Sequence, residues 1–415
     1  MKKIRTNIIN SVTPDRVHYL SNHILSWEDG VIHEIRPYQP ALDGDAIDAS
    51  DSVMLPGFID LHVHLSQHHA RGLYEAELLP WLQRHIFPAE ALSADADYAS
   101  KIAQEFFKAL FASGTSTAVI YTAPFVQSCE TAFEEAIRVG ARGLIGMTLM
   151  DTNSPPQLQQ STEAAFTGSV SLYEKYHAAN PLLDYIFSPR FAISCSEELM
   201  RLIGRFAQKH DAYIQSHLSE NKDEIAWVQQ IFGKKSYTEV YDECGILGDK
   251  TIMAHAIHLS PLEVELLKES GTAIAHCPDS NFFLKSGEFP YNQLWEEGLR
   301  IGIGSDVGAG STLSMPYHAK MMAYRQSETQ LSPQRQLWHI TLGAAEALSW
   351  QHRIGSLECG KEADFCLLPI PSDCNVDDTL LSRLFYLQKE FEVLATVIHG
   401  RTVYLRQNTY PALEG

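Results

Sequence analysis

The sequence lacks several features, and each absence removes a class of protein. Its seven cysteines (Cys129, Cys195, Cys244, Cys277, Cys359, Cys366 and Cys374) are odd in number and scattered, with no CxxC pair. That argues against a disulfide framework and against a cysteine-built zinc site. No run of 18 apolar residues occurs, so no transmembrane helix and no membrane partner are expected. The first residues, MKKIRTNIIN, are basic but hold no continuous apolar stretch, a poor match to a signal peptide. A reducing, cytoplasmic setting is the expectation. Positive charge is scarce: 32 Lys and Arg stand against 51 Asp and Glu, a net charge of −19. A polyanion would be repelled, so no nucleic-acid partner is expected. The PCxxC element of the zinc deaminases that act on nucleic acid is also missing. No GxGxxG follows the first strand of the central zone, which leaves an open dinucleotide-binding sheet without support.

What is present is an ordinary globular composition, 45% hydrophobic and 20% charged, in a chain of 415 residues that can bury a large core. Three zones follow one another. Residues 1–56 mix short β-rich pieces with turn signals such as WEDG (27–30) and DGD (43–45). From 57 to 363, strand-like runs alternate with helix-like stretches. The strands are expected at 58–64, 115–121, 143–150, 185–190, 212–217, 251–255, 273–276 and 301–306, with helices between them, for example over 98–112 and 261–270. Eight such alternations predict an α/β fold, a closed (β/α)8 TIM barrel. Residues 364–415 return to β-rich text, including 365–368 and 395–399. The two flanking segments are expected to join as one small β-sandwich domain.

Polar groups collect at the C-terminal ends of the predicted strands, where barrel enzymes place their chemistry. In His62-Val63-His64 the alternation of a strand turns both imidazoles to one face, a pairing suited to a metal ion. Alone, HxH is weak evidence, since two unrelated surface histidines read the same way. His217 closes another strand, with Glu220 three residues on. That spacing fits a carboxylate beside a metal-activated water, but also a helix start capped by Ser219 with Glu220 favoured by the dipole. His255, His276 and Asp306 end three further apolar runs, and His258 lies just beyond His255. His62, His64, His217 and Asp306 together form a nitrogen-rich set suited to Zn²⁺, with Fe²⁺ or Mn²⁺ as alternatives. No lysine falls in 143–150 or 185–190 to bridge a second ion, so one ion per chain is expected.

These motifs resemble the metal-dependent amidohydrolase superfamily and, within it, the guanine deaminases. The likeness rests on LPGFIDLHVHLSQ (55–67), WLQRHIFPAE (81–90), SPRFAISCSE (188–197), IQSHLSENKDE (214–224), MAHAIHLS (253–260), AHCPDSNFFLKSG (275–287), IGIGSDVGAGSTLSM (301–315) and GSLECGKEADFCLL (355–368). The resemblance implies a metal held by His62, His64, His217 and Asp306. His255 is implied beside it, as a further ligand or as a hydrogen-bond donor to bound water. It implies substrate contacts from His64, Gln67, Arg190, Phe191 and Glu220, and catalytic roles for Glu220, Asp306 and His255. The implied reaction is hydrolysis of guanine to xanthine and ammonia, by a purine-specific, homodimeric enzyme. Two departures stand out: His68 and His69 follow Gln67 where tyrosine is more usual, and Asp279 replaces Asn in HCPxSN. The competing readings are an aminohydrolase for 8-oxoguanine, cytosine or an adenosine- or S-adenosylhomocysteine-type nucleoside, a triazine hydrolase, and a catalytically silent barrel. The last would be expected to have lost ligands that this chain keeps. Cys195 and Cys277 read as packing residues, and Trp81 as pocket wall.

Overall fold

Four strands open the chain: β1 (Lys2–Thr13), β2 (Arg16–Glu28), β3 (Val31–Pro37) and β4 (Ile47–Pro56). Asp29 and Gly30, both at positive φ, make the tight turn between β2 and β3, so the WEDG signal is a hairpin turn. The computed structural model describes residues 1–233, 235–387, 391–407 and 409–413; residue 234 of the expected barrel zone and residues 388–390, 408, 414 and 415 of the expected C-terminal segment lie outside it.

Eight strands follow: β5 (Phe58–His64), β6 (Thr115–Thr122), β7 (Arg142–Leu149), β8 (Leu183–Pro189), β9 (Tyr213–Leu218), β10 (Thr251–His255), β11 (Ala273–His276) and β12 (Ile301–Ile303). They form one parallel sheet in sequence order. The sheet closes between its ends: Asp306 N donates to His62 O at 2.8 Å and His64 N to Val307 O at 2.8 Å. Nearly every strand residue is buried, because helices cover the outside and side chains fill the inside. The expected barrel is therefore observed, with several strand ends shifted by one or two residues and the last strand cut short. The last strand was expected to run to residue 306, but it stops at Ile303. Beyond it Ser305 N bonds the Asp60 carboxylate (2.9 Å) instead of a backbone carbonyl, and Asp306 turns to a φ of 49°.

Helices form where local signals converge. The helix Pro261–Ser270 has a Ser260–Glu263 capping box, Pro261 in its first turn and Gly271 as a left-handed C-cap. The helix Ala96–Ala112 is capped by Asp95 and buries Ile102, Phe106 and Leu110 along one face.

The chain ends in β13 (Phe365–Pro369), β14 (Ala395–Ile398) and β15 (Arg401–Leu405), which join the first four strands in a seven-stranded sheet of order β15-β14-β13-β4-β1-β2-β3. The two ends thus meet, as expected, in one small β unit, which is a single mixed seven-stranded sheet and not two facing sheets. Alternation explains how it sits. Met54, Phe365, Leu367 and Val397 face a core of the sheet's own with Trp27, while Val53, Leu55, Cys366, Leu368 and Ile398 pack into the barrel's outer core. Arg142, at the start of β7, ties the two together through Asp364 (Nε–Oδ2 2.8 Å) and Glu362.

Candidate active site

The strand-end groups converge. β5 carries one extra residue between Asp60 and Val63 relative to β6, a bulge that re-aims the side chains of its C-terminal half. His62 and His64 then meet, Nε2 to Nε2, at 3.2 Å. From β9, His217 Nε2 comes within 3.3 Å of His64 Nε2. Asp306 Oδ1 lies 3.3 Å from His62 Nε2 and 3.4 Å from His64 Nε2. His255, at the end of β10, completes the group: ligand atoms of His62, His217, His255 and Asp306 all lie within 4.8 Å of one another. All five side chains are buried or nearly so. Gly304 permits the crowding, since a Cβ there would stand 2.6 Å from the Cβ of His62.

The donor chemistry fits a divalent ion. His217 Nδ1 donates to Arg190 O (2.5 Å) and His255 Nδ1 to Asn281 Oδ1 (2.9 Å). A neutral ring that gives its proton on Nδ1 presents a bare lone pair on Nε2, and that of His217 faces His64 Nε2 at 3.3 Å. Lone pairs held this close repel unless a cation lies among them. Ligand atoms about 2.0–2.1 Å from one tetrahedral zinc lie about 3.3–3.4 Å apart, close to the 3.2–3.4 Å of the His62–His64, His64–His217, His62–Asp306 and His64–Asp306 contacts. Burial pushes His64 down to about 4 and His62 and His217 below their ordinary value, so the rings are neutral donors at pH 7. Burial opposes ionisation of Asp306, but the imidazoles of His62 and His64 beside it outweigh burial and hold the carboxyl well below the usual range.

Glu220 sits beside this cluster. Its Oε1 accepts from Ser286 Oγ at 2.9 Å, and its Oε2 lies 3.5 Å from His255 Nε2. Burial, then the charge of Asp306, lifts its carboxyl to about 8. The alternative in which Ser219 caps a helix does not hold. Ser219 has a φ of 48° and the cap is Asn221, in a capping box with Glu224. Glu224 Oε2 accepts from Glu220 N (3.0 Å) and Asn221 N (3.1 Å), and its Oε1 from Tyr237 OH (2.8 Å), which fixes the backbone that aims Glu220. Ser219, His255 and Asp306, all non-glycine, hold positive φ, so the site carries backbone strain.

A cleft opens over the cluster, walled by Leu78, Trp81, Leu82, Phe191 and Leu284. Gln67, Arg190 and Glu220 line it. Trp81 donates Nε1 to Leu73 O at 2.9 Å and serves as wall, as expected. Other singled-out residues lie elsewhere. His276 stacks on Phe289 at 4.2 Å, and neither ring nitrogen has a partner among the described residues. His258 bonds Ser286 O at 2.8 Å. Asp279 Oδ2 accepts from Ser311 N and Oγ, both at 2.7 Å. His68 packs edge-on to Phe106, and His69 pairs with Glu105 at 2.6 Å. Cys195 and Cys277 are buried, and burial raises both thiols. Sequence reasoning missed Glu90, fully buried and bonded to both Gln67 (2.8 Å) and Arg190 (2.5 Å). Its only signal was its place in the WLQRHIFPAE segment.

The comparisons agree with this geometry. A model described as "Amidohydrolase family" matches residues 53–403. A guanine deaminase of Escherichia coli (strain K12) is 34% identical over 397 residues, which covers 92% of this chain and 88% of that protein. A guanine deaminase of Dictyostelium discoideum is 31% identical over 447 residues, covering 97% and 98%. A solved guanine deaminase from C. acetobutylicum with bound guanine in the active site superposes with a TM-score of 0.92 at 30% identity, covering 97% of this chain and 100% of that one.

Proposed function

The chain belongs to the amidohydrolase family, and from that premise we propose that it hydrolyses guanine to xanthine and ammonia. One observation carries the reading: two buried carboxylates, Glu220 and Asp306, flank His255 at 3.5 and 3.9 Å beside a nitrogen-rich ligand cluster, under a cleft lined by Gln67 and Arg190. His62, His64, His217 and Asp306 would hold one Zn²⁺ per chain, with His255 as a further ligand or as a donor to the water. When bound, such an ion acidifies a water so that hydroxide is available near neutral pH.

The chain's own groups do the rest. Arg190 presents a donor fork suited to the purine carbonyl and a neighbouring ring nitrogen, and Gln67 offers an amide hydrogen along the same edge, its amide oxygen being engaged by Gly308 N. Phe191, buried in the cleft wall, stacks on the base. Asp306 takes the proton of the attacking water through Oδ2, since Oδ1 faces His62 and His64. The hydroxyl oxygen adds to C2 while Glu220 gives a proton to N3. Glu220 Oε1 is engaged by Ser286, so Oε2 is the oxygen that delivers it. His255 stabilises charge at the tetrahedral centre. The Glu220 carboxylate then takes the hydroxyl proton of the tetrahedral centre and passes it to the amine, the C2–N bond breaks, ammonia leaves and xanthine remains, and the proton held by Asp306 returns to Glu220. The same reading includes a cytoplasmic homodimer, with residues 57–363 as the catalytic barrel and 1–56 with 364–415 as the small domain.

The test is incubation of zinc-loaded protein with guanine, with xanthine and ammonia quantified against a Glu220→Ala control. Turnover lost in the control supports the reading. No turnover by protein with stoichiometric metal overturns it and directs attention to 8-oxoguanine, cytosine and nucleoside substrates.

A further inference from the structure

We propose that Glu90 is a positioning residue that sets the recognition pattern of the purine pocket by holding Gln67 and Arg190 together; this rests on the guanine reading. Glu90 lies in the short helix Phe87–Ala91, directly after a π-helical turn over Leu82–Ile86. Such turns concentrate at functional sites because they re-aim the side chains that follow. The carboxylate is completely buried, and both of its oxygens are engaged by groups lining the cleft. Oε1 accepts from Gln67 Nε2 at 2.8 Å and Oε2 from Arg190 Nη1 at 2.5 Å. Gln67 comes from the turn after β5, and Arg190 from the residue after β8. Glu90 is thus a strut across the cleft.

The chemistry of the partners fixes polarity. A carboxylate only accepts, so the amide nitrogen of Gln67 must face Glu90. The amide oxygen is held from the other side, because Gly308 N only donates to it, at 3.2 Å. The Gln67 amide therefore cannot flip without placing like against like at both ends. One amide hydrogen of Gln67, and the Nε and Nη2 donors of Arg190, remain for a ligand. Arg190 is held from beneath as well, its guanidinium carbon 5.2 Å from the centre of the Phe87 ring. Its carbonyl accepts from His217 Nδ1, so the same residue joins the pocket to the ligand cluster. The result is a rigid donor array matched to a carbonyl at purine C6, and Glu90 enforces it without touching the substrate.

Glu90→Gln tests this. The new amide keeps the shape but brings a donor against Gln67 Nε2 or Arg190 Nη1, so one of the two must turn away. The expected result with guanine is a KM raised about tenfold to a hundredfold, the range for losing a charge-assisted hydrogen bond, with kcat changed far less. 2-Aminopurine reacts at the same C2 but lacks the C6 carbonyl, so the preference for guanine over it should fall by a similar factor. Xanthine binding to the metal-free protein, read by calorimetry, should weaken in parallel. In the background of Gln67→Ala, adding Glu90→Gln should cost much less than it does in the wild type. A KM within twofold of wild type, an unchanged preference, or full additivity in the cycle overturns the inference. If Glu90→Gln does not fold, Glu90→Asp keeps the charge, withdraws the oxygens by one methylene, and is expected to raise KM in the same direction. A wild-type protein that leaves guanine untouched removes the underlying reading, whereas turnover with an unaltered variant removes only the role of Glu90.

Discussion

At the scale of single residues, the proposed chemistry depends on side chains held by partners that never meet the substrate. Ser286 occupies one oxygen of Glu220, and Asn281 fixes the ring of His255 through Nδ1. Glu220→Gln removes the proton carrier but not its shape, so kcat for guanine should drop about 10²–10⁴-fold while the metal-to-protein ratio stays unchanged. Elemental analysis beside steady-state kinetics reads both. Asn281→Ala leaves the His255 ring without its anchor. Losing such an outer partner lowers metal affinity or activity about 10–100-fold, so a chelator competition titration should shift accordingly. An unshifted titration with wild-type kinetics would show that His255 is oriented by packing alone.

At the scale of elements, the strands are positioned by interactions that combine sheet geometry with buried charge. The bulge in β5 aims the two histidines of HxH, and Asp60 bridges β5 to the chain after β12 through Ser305 N at 2.9 Å. Burial raises the Asp60 carboxyl to about 7, a sign of how dry this seam is. Between the barrel and the small sheet the seam is Arg142. Its guanidinium is almost wholly buried with Asp364 and Glu362, and the Asp364 carboxylate also accepts from His399 N at 2.7 Å. Arg142→Leu strands two carboxylates and should cost about 3–5 kcal/mol, the range for breaking a buried pair from one side. Chemical denaturation of the variant against wild type measures it. The active site lies at the other end of β7, so kcat well below the melting temperature should change little.

For the whole molecule, the ligand cluster and the buried histidines couple stability to metal and to pH. An ion that binds only the folded chain stabilises it by mass action, so chelation should lower Tm, and restoring zinc should recover both Tm and activity. His339, outside the ligand cluster, provides a pH handle. It is fully buried, with Nδ1 donating to Ile301 O (2.8 Å) and Nε2 accepting from Tyr291 OH (2.9 Å). Burial depresses its pKa to about 4. A depressed value means that the unfolded chain takes up the proton first. The stability contribution of His339 is therefore whole above about pH 6.5 and is lost as pH falls towards 4, a difference of about 3 kcal/mol. Tm measured from pH 7 to pH 4.5 should fall less steeply in His339→Gln than in wild type, and parallel curves would contradict the assignment.

Local pattern alone determined much of this protein. Continuous apolar runs mark the parallel strands because a barrel strand is covered on both sides, and a histidine or aspartate closing such a run marks the one end where polar groups reach a cleft. His62, His64, His217, His255 and Asp306 were legible for that reason, and so was the turn at Asp29-Gly30. His276 shows the limit of the rule: it closes β11 in the same manner, yet it stacks on Phe289 outside the cluster, because strand position sets height in the barrel but not which neighbour a ring packs against. The end of the last strand was misread for a related reason, since the Asp60 side chain replaces a backbone partner there. Only the tertiary structure decided the links between distant segments. Glu90 meets Gln67 and Arg190 across 23 and 100 residues, and Arg142 meets Asp364 across 222. A charge pair of that kind leaves no periodicity in the chain, because its energy arises only when folding removes both groups from water.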